Sequence, residues 1–157
     1  MNAEDTREKP TILVVDDTPD NLTLVSNLLK KDYRVRVAIS GEKALKIAFS
    51  DSPPDLILLD VMMPVMDGYE VCTQLRNSPQ TAQIPVIFLS AKSEAEDETK
   101  GLSMGADDYI TKPISPPILL ARVKTHLAAK AYAEFLRDKD GAIAREVERR
   151  LQQAVRI

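Results

Sequence analysis

Three acids, one hydroxyl and one amine stand out because each follows or ends a short apolar run. Asp16 and Asp17 follow residues 11–15, Asp60 ends 55–60, Ser90 follows 85–89 and Lys112 follows 109–111. If these runs lie side by side as strands of one sheet, the five groups meet at one edge. Three carboxylates in one small pocket repel one another, so the arrangement makes sense only with a cation among them. A hard divalent ion such as Mg²⁺ takes oxygen ligands, keeps several waters and shares its shell with phosphate. Lys112 supplies a second positive charge and Ser90 a hydroxyl donor, the groups needed to hold the oxygens of a transferring phosphoryl group.

The elements that must position these groups are legible from periodicity. Leu56-Ile57-Leu58-Leu59 has no polar alternation, which predicts a strand covered on both faces, the habit of parallel sheets. Asp60 then stands at the carboxyl edge, where open α/β sheets bind ligands. Pro64 and Asp67-Gly68 stop the strand in a loop. After the first strand, Thr18 is predicted to cap a helix with Pro19 at its first position, and Leu22, Val25 and Leu29 recur at helical spacing. Val35-Arg36-Val37 alternates, as expected of a strand nearer a sheet edge, and Ser40-Gly41-Glu42 leads into a second helix. Asp67 with Glu70 forms a capping-box pattern for the third helix, and Ser93 with Glu96 offers another for a helix to about Met104, with Gly105 just past its end. Ser115 and Pro116 open the last helix. Five strands alternating with five helices predict a doubly wound α/β domain, a five-stranded parallel sheet with helices on both faces.

Length and charge narrow the classes. The 157 residues allow one well-buried domain and a modest appendage. With 21 basic against 24 acidic residues, the charge of −3 advertises neither direct nucleic acid binding nor a membrane surface. A single cysteine excludes an internal disulfide and fits a reducing compartment. No run reaches membrane-spanning length or reads as a signal peptide, so a cytoplasmic location is expected. Cys72 reads as a small core residue, and His126 as a surface residue without a metal or acid–base partner. Residues 1–10 read as a flexible tail. Residues 128–157 carry no strand signal and place apolar residues at Ala128, Ala131 and Phe135, then at Ala144, Val147, Leu151 and Ala154. The two sets change register near Gly141, which predicts a helical extension with a weak point there. Pairing with a second copy, as a coiled-coil linker forming a homodimer, is the simplest cover for such a stripe.

Four separated motifs together resemble the receiver domain of two-component response regulators. They are Val15-Asp16-Asp17; Leu58-Leu59-Asp60-Val61-Met62-Met63-Pro64-Val65-Met66-Asp67-Gly68; Leu89-Ser90-Ala91; and Asp107-Asp108-Tyr109-Ile110-Thr111-Lys112-Pro113. The resemblance spans residues 11–127 and implies the flavodoxin-like strand order 2-1-3-4-5. It implies that Asp60 is the phosphoacceptor, taking a phosphoryl group from a sensor histidine kinase or a phosphotransfer protein. By the same resemblance Asp17, Asp60 and the backbone carbonyl of Met62 bind Mg²⁺, with Asp16 acting through water, while Ser90 and Lys112 hold the phosphoryl oxygens. Tyr109 matches an aromatic switch that follows Ser90 and alters the surface of the fourth helix, fifth strand and fifth helix. The Lys112-Pro113 bond matches a cis peptide, and Met62 and Lys92 match positions that govern water access. Such a domain catalyses only its own phosphorylation and slow dephosphorylation and is not an enzyme turning over a metabolite.

Three other readings fit these residues less well. A metal-dependent phosphohydrolase of the haloacid dehalogenase type needs its second acid two positions after the nucleophile, and here Asp16 is followed by Asp17 and Thr18. A dinucleotide-binding domain needs a glycine-rich turn after the first strand, which is missing from this sequence. A non-phosphorylated interaction module is opposed by the complete set of acids, hydroxyl and lysine. The run 118–137 resembles receivers that feed a coiled coil leading to a cyclic-di-nucleotide phosphodiesterase or cyclase. The expectation is therefore the N-terminal part of a longer regulator.

Overall fold

The apolar runs become buried strands because each must cover two faces. In the computed structural model, which describes residues 9–91, 95–137, 148–150 and 152, five strands form one sheet: β1 (Thr11–Val15), β2 (Arg34–Ala38), β3 (Leu56–Asp60), β4 (Val86–Ser90) and β5 (Asp108–Thr111). All neighbours pair in parallel, in the order β2-β1-β3-β4-β5. Side chains alternate along each strand, so Leu13, Val15, Ile57, Leu59 and Phe88 enter one core layer. Ile12, Val14, Leu58, Ile87 and Leu89 enter the other. That division explains why β1, β3 and β4 read as unbroken apolar runs. Each fully buried aliphatic contributes roughly 1.5–3 kcal/mol. At the sheet edge, β2 keeps the mixed burial that its alternating sequence predicts.

Helices α1 (Pro19–Leu29) and α5 (Pro116–Leu136) cover one face, and α2 (Gly41–Ala48) and α3 (Gly68–Arg76) cover the other. Helix α4 (Ala95–Ser103) lies against β4 and β5, where Gly101 meets the rings of Phe88 and Tyr109. Asp67 caps α3 as expected, its Oδ1 accepting from Glu70 N at 2.9 Å. Thr18 occupies the cap position of α1 but its side chain makes no capping bond. Pro19 already removes one orphan donor, and the Thr18 amide is taken instead by Asp16 Oδ1 at 2.9 Å. Gly105, with φ 100°, ends the turn after α4. The Ser93 cap lies outside the described residues, as do Lys92, residues 1–8 and the stripe from Gly141 to Ala154 apart from 148–150 and 152.

Two polar knots fix the lower half of the sheet. The Arg76 guanidinium donates to the carbonyls of Gly105 (2.7 Å), Ala82 (3.1 Å) and Ile84 (2.7 Å) and to Asp107 Oδ2 (2.8 Å). His126, read from sequence as partnerless, is half-buried and lies 2.9 Å from Asp108 Oδ2, while Arg122 donates to the other oxygen of Asp108 at 2.6 Å. The correction has a tertiary cause: α5 runs back along β5 and brings residues 18 apart into contact. The helix continues past Leu127 to Leu136, and Lys130 Nζ bridges Glu134 (2.6 Å) and Asp55 (3.6 Å). Among the described residues, no helix is long and apolar enough to cross a membrane.

Candidate functional site

The parallel register places the carboxyl ends of β1, β3, β4 and β5 at one edge, and the candidate residues follow from it. Asp60 is the last residue of β3, beside Leu89 of β4. Asp16 and Asp17 follow β1, whose Val15 pairs with Leu59. One carboxylate oxygen from each of Asp16, Asp17 and Asp60 lies within 4.8 Å of the others. Asp60 and Asp16 are nearly buried, at 6% and 4% exposure, whereas Asp17 faces solvent.

Lys112, just beyond β5, closes the cluster. Its Nζ donates to Asp16 Oδ2 at 3.1 Å and stands 3.8 Å from Asp60 Oδ1. The Lys112-Pro113 bond is cis, as the resemblance implies. Burial pushes the Asp60 carboxyl up to about 6. Lys112 and the Met62 amide oppose the rise, and the charges of Asp16 and Asp17 add to it. Added positive charge at this site would draw that value back down, because it favours the ionised carboxylate. Hard oxygen donors in this number fit a divalent ion with part of its hydration shell retained.

The remaining predicted residues surround this cluster in distinct ways. Ser90 ends β4, wholly buried, and its carbonyl accepts from Lys112 N at 2.7 Å. Met62 donates its amide to Asp60 Oδ1 at 3.3 Å while its side chain is 56% exposed. Tyr109 is not at the pocket; it lies buried in the layer beneath, in register with Phe88 and edge-on to its ring at 6.3 Å between centroids.

Sequence reasoning missed the groups that shape the loop after β3. Gly68 N donates to Val61 O at 2.9 Å, and a Cβ at position 68 would stand 2.5 Å from the Asp60 carbonyl oxygen. Gly68 is therefore required for close approach and is more than a turn former. At the exposed tip, Val65 has φ 69° and Met66 N donates to Pro64 O at 2.8 Å. That is a γ-turn of the rarer positive-φ form, which costs a β-branched residue on the order of 1–3 kcal/mol. Asp67-Gly68 signalled the turn; nothing in the sequence signalled the strain.

Comparison with known proteins agrees with this geometry. The family described as the response regulator receiver domain matches residues 12–124. A Vibrio cholerae protein named "Probable cyclic di-GMP phosphodiesterase" is 48% identical over 89% of this chain and 32% of its own length. The alkaline phosphatase synthesis transcriptional regulatory protein PhoP of Bacillus subtilis is 51% identical over 74% of this chain and 48% of its own. The chain thus spans about a third to a half of the length of these two curated relatives. The crystal structure of response regulator DrrB, a Thermotoga maritima OmpR/PhoB homologue, superimposes with TM-score 0.69 at 38% identity, covering 78% of this chain and 54% of that one. With its sheet order, acidic edge and family match in agreement, the chain belongs to the receiver domains of two-component response regulators.

Proposed function

We propose that Asp60 is the phosphoacceptor, taking its phosphoryl group from a phosphohistidine on a sensor histidine kinase or a phosphotransfer protein. The observation that carries this is the buried Asp60 carboxylate, clustered with Asp16 and Asp17 and faced by Lys112. An Asp60 oxygen attacks phosphorus in line. The O–P bond forms as the N–P bond breaks, and the electron pair leaves with the imidazole nitrogen. Lys112 is placed to balance charge on the phosphoryl oxygens, and the Ser90 hydroxyl to donate to them.

Asp17, Asp60 and the backbone carbonyl of Met62 would hold Mg²⁺, with Asp16 contributing through water. Bound there, the ion would neutralise the carboxylates and the incoming phosphoryl oxygens. The raised pKa of Asp60 supports this, because an ionised nucleophile beside two further acids needs compensation. Tyr109, buried behind Ser90's strand, is the switch residue of this reading.

The output is the helical extension. Residues 128–157 act as a coiled-coil linker that pairs two copies and leads into the rest of a longer regulator. Support comes from the outward-facing Tyr132 and Leu136 on the final turns of α5 and from relatives about one and a half to nearly three times as long. Incubation with phosphoramidate and Mg²⁺ should add one phosphoryl mass, and Asp60→Asn should abolish it; labelling of the variant at the parent's rate would mean another acceptor. Solution mass measured with and without beryllofluoride tests the linker: a mass that stays monomeric in both speaks against pairing.

A further inference from the structure

Tyr69, the second residue of α3, has a buried hydroxyl with no hydrogen-bond partner among the described residues. Its ring is 7% exposed. A hydroxyl so placed forfeits its bonds to water, and such a group calls for an explanation.

Its surroundings join two elements. On one side, Gly68 holds the start of α3 against the backbone of Asp60 and Val61, so Tyr69 cannot shift independently of the phosphoacceptor strand. On the other, Lys100 Nζ of α4 stands 4.5 Å from the Tyr69 ring centroid. The adjacent Gly101 has no clearance: a Cβ there would meet the rings of Phe88 and Tyr109 at 2.9 Å. Tyr69, Phe88 and Tyr109 form an edge-to-face series, with centroids 5.4 and 6.3 Å apart. Helix α4 therefore rests on an aromatic floor. One end of that floor is fixed to the Asp60 strand and the other is Tyr109. Burial first, then negative charges that include Asp97 of α4, push the Tyr69 phenol up, so its hydroxyl stays protonated as a donor.

We propose that Tyr69 is a positioning residue that couples the Asp60 site to the placement of α4. One placement keeps Lys100 over the ring and leaves the hydroxyl unbonded. A second releases Lys100 and gives the hydroxyl an acceptor. The inference deepens the reading of Asp60 as phosphoacceptor and rests on it.

The signs of two substitutions follow without knowing which placement the phosphoryl group favours. Tyr69→Phe removes a group left unsatisfied in the arrangement seen here and so favours that arrangement. Lys100→Met removes a contact made in it and so disfavours it. The affinity of the full chain for beryllofluoride with Mg²⁺, measured by calorimetry, should shift in opposite directions for the two variants. Each shift should be roughly two- to fivefold, with affinity for Mg²⁺ alone unchanged. Any other pattern overturns the coupling role while leaving Asp60 in place. A parent chain that binds no beryllofluoride overturns the Asp60 assignment itself, and this inference with it.

Discussion

Lys112 and Asp16 are 96 residues apart in sequence and 3.1 Å apart in space. That contact ties the end of β5 to the end of β1 and holds an ammonium beside Asp60. Lys112→Met should slow phosphorylation by a small donor about 100-fold, the scale of losing one preorganised charge partner. Affinity for Mg²⁺ should rise, because a competing positive charge is gone. Loss of both in kinetic and calorimetric assays would show that Lys112 serves only to hold the carboxylates in place.

Asp60 should make stability fall with rising pH. Its folded pKa is about 6, raised first by burial, against about 3.9 in an unfolded chain. Between those values the folded state binds the extra proton, so this group's stabilising contribution is complete below about pH 4 and lost as pH rises through 6. Asp60→Asn should then be more stable than the parent at pH 7 by about 1–3 kcal/mol, and the gap should close near pH 4. Denaturant unfolding across that range decides it, and a gap that does not change with pH is the contrary outcome.

How far the fold was legible depended on where each signal lived. The apolar runs of β1, β3 and β4 named themselves, because burial on two faces leaves no room for alternation. Asp60, Asp16 and Lys112 were legible because each sits at a strand end, so one topological expectation brought them together. Contacts made across the fold carried no local signal. His126 finds Asp108 only because α5 returns along β5, whereas the bond from the Thr18 amide to Asp16 is a local Asx-type turn two residues long. The γ-turn at Val65 was equally silent, since a valine is a poor predictor of positive φ.

Arg76 satisfies three backbone carbonyls and one carboxylate from the loops entering β4 and β5. Arg76→Met keeps much of the side-chain stem but leaves those acceptors and Asp107 without it. A loss of about 2–4 kcal/mol is expected in urea unfolding, with beryllofluoride affinity nearly unchanged. A loss below about 1 kcal/mol would mean that water replaces the guanidinium at little cost.

Asp108 gives the opposite pH dependence to Asp60. Burial alone would raise its pKa, but hydrogen bonds from Arg122, His126 and the Tyr109 amide outweigh burial and hold it below the ordinary carboxylate value. Its stabilising contribution is therefore present above about pH 4 and lost as pH falls through the lowered pKa. Asp108→Ala should cost about 1 kcal/mol at pH 7 and progressively less on acidification. A deficit that persists undiminished in acid would assign the loss to packing instead of charge.

The assignment of Asp60 as acceptor is tested most directly by chemical trapping. After incubation of the chain with phosphoramidate and Mg²⁺, borohydride reduces an acyl phosphate to the alcohol, converting the modified aspartate to homoserine. Peptide mapping should find homoserine at position 60 and aspartate retained at 16 and 17. Homoserine at either of those two positions, or at none of the three, would contradict it.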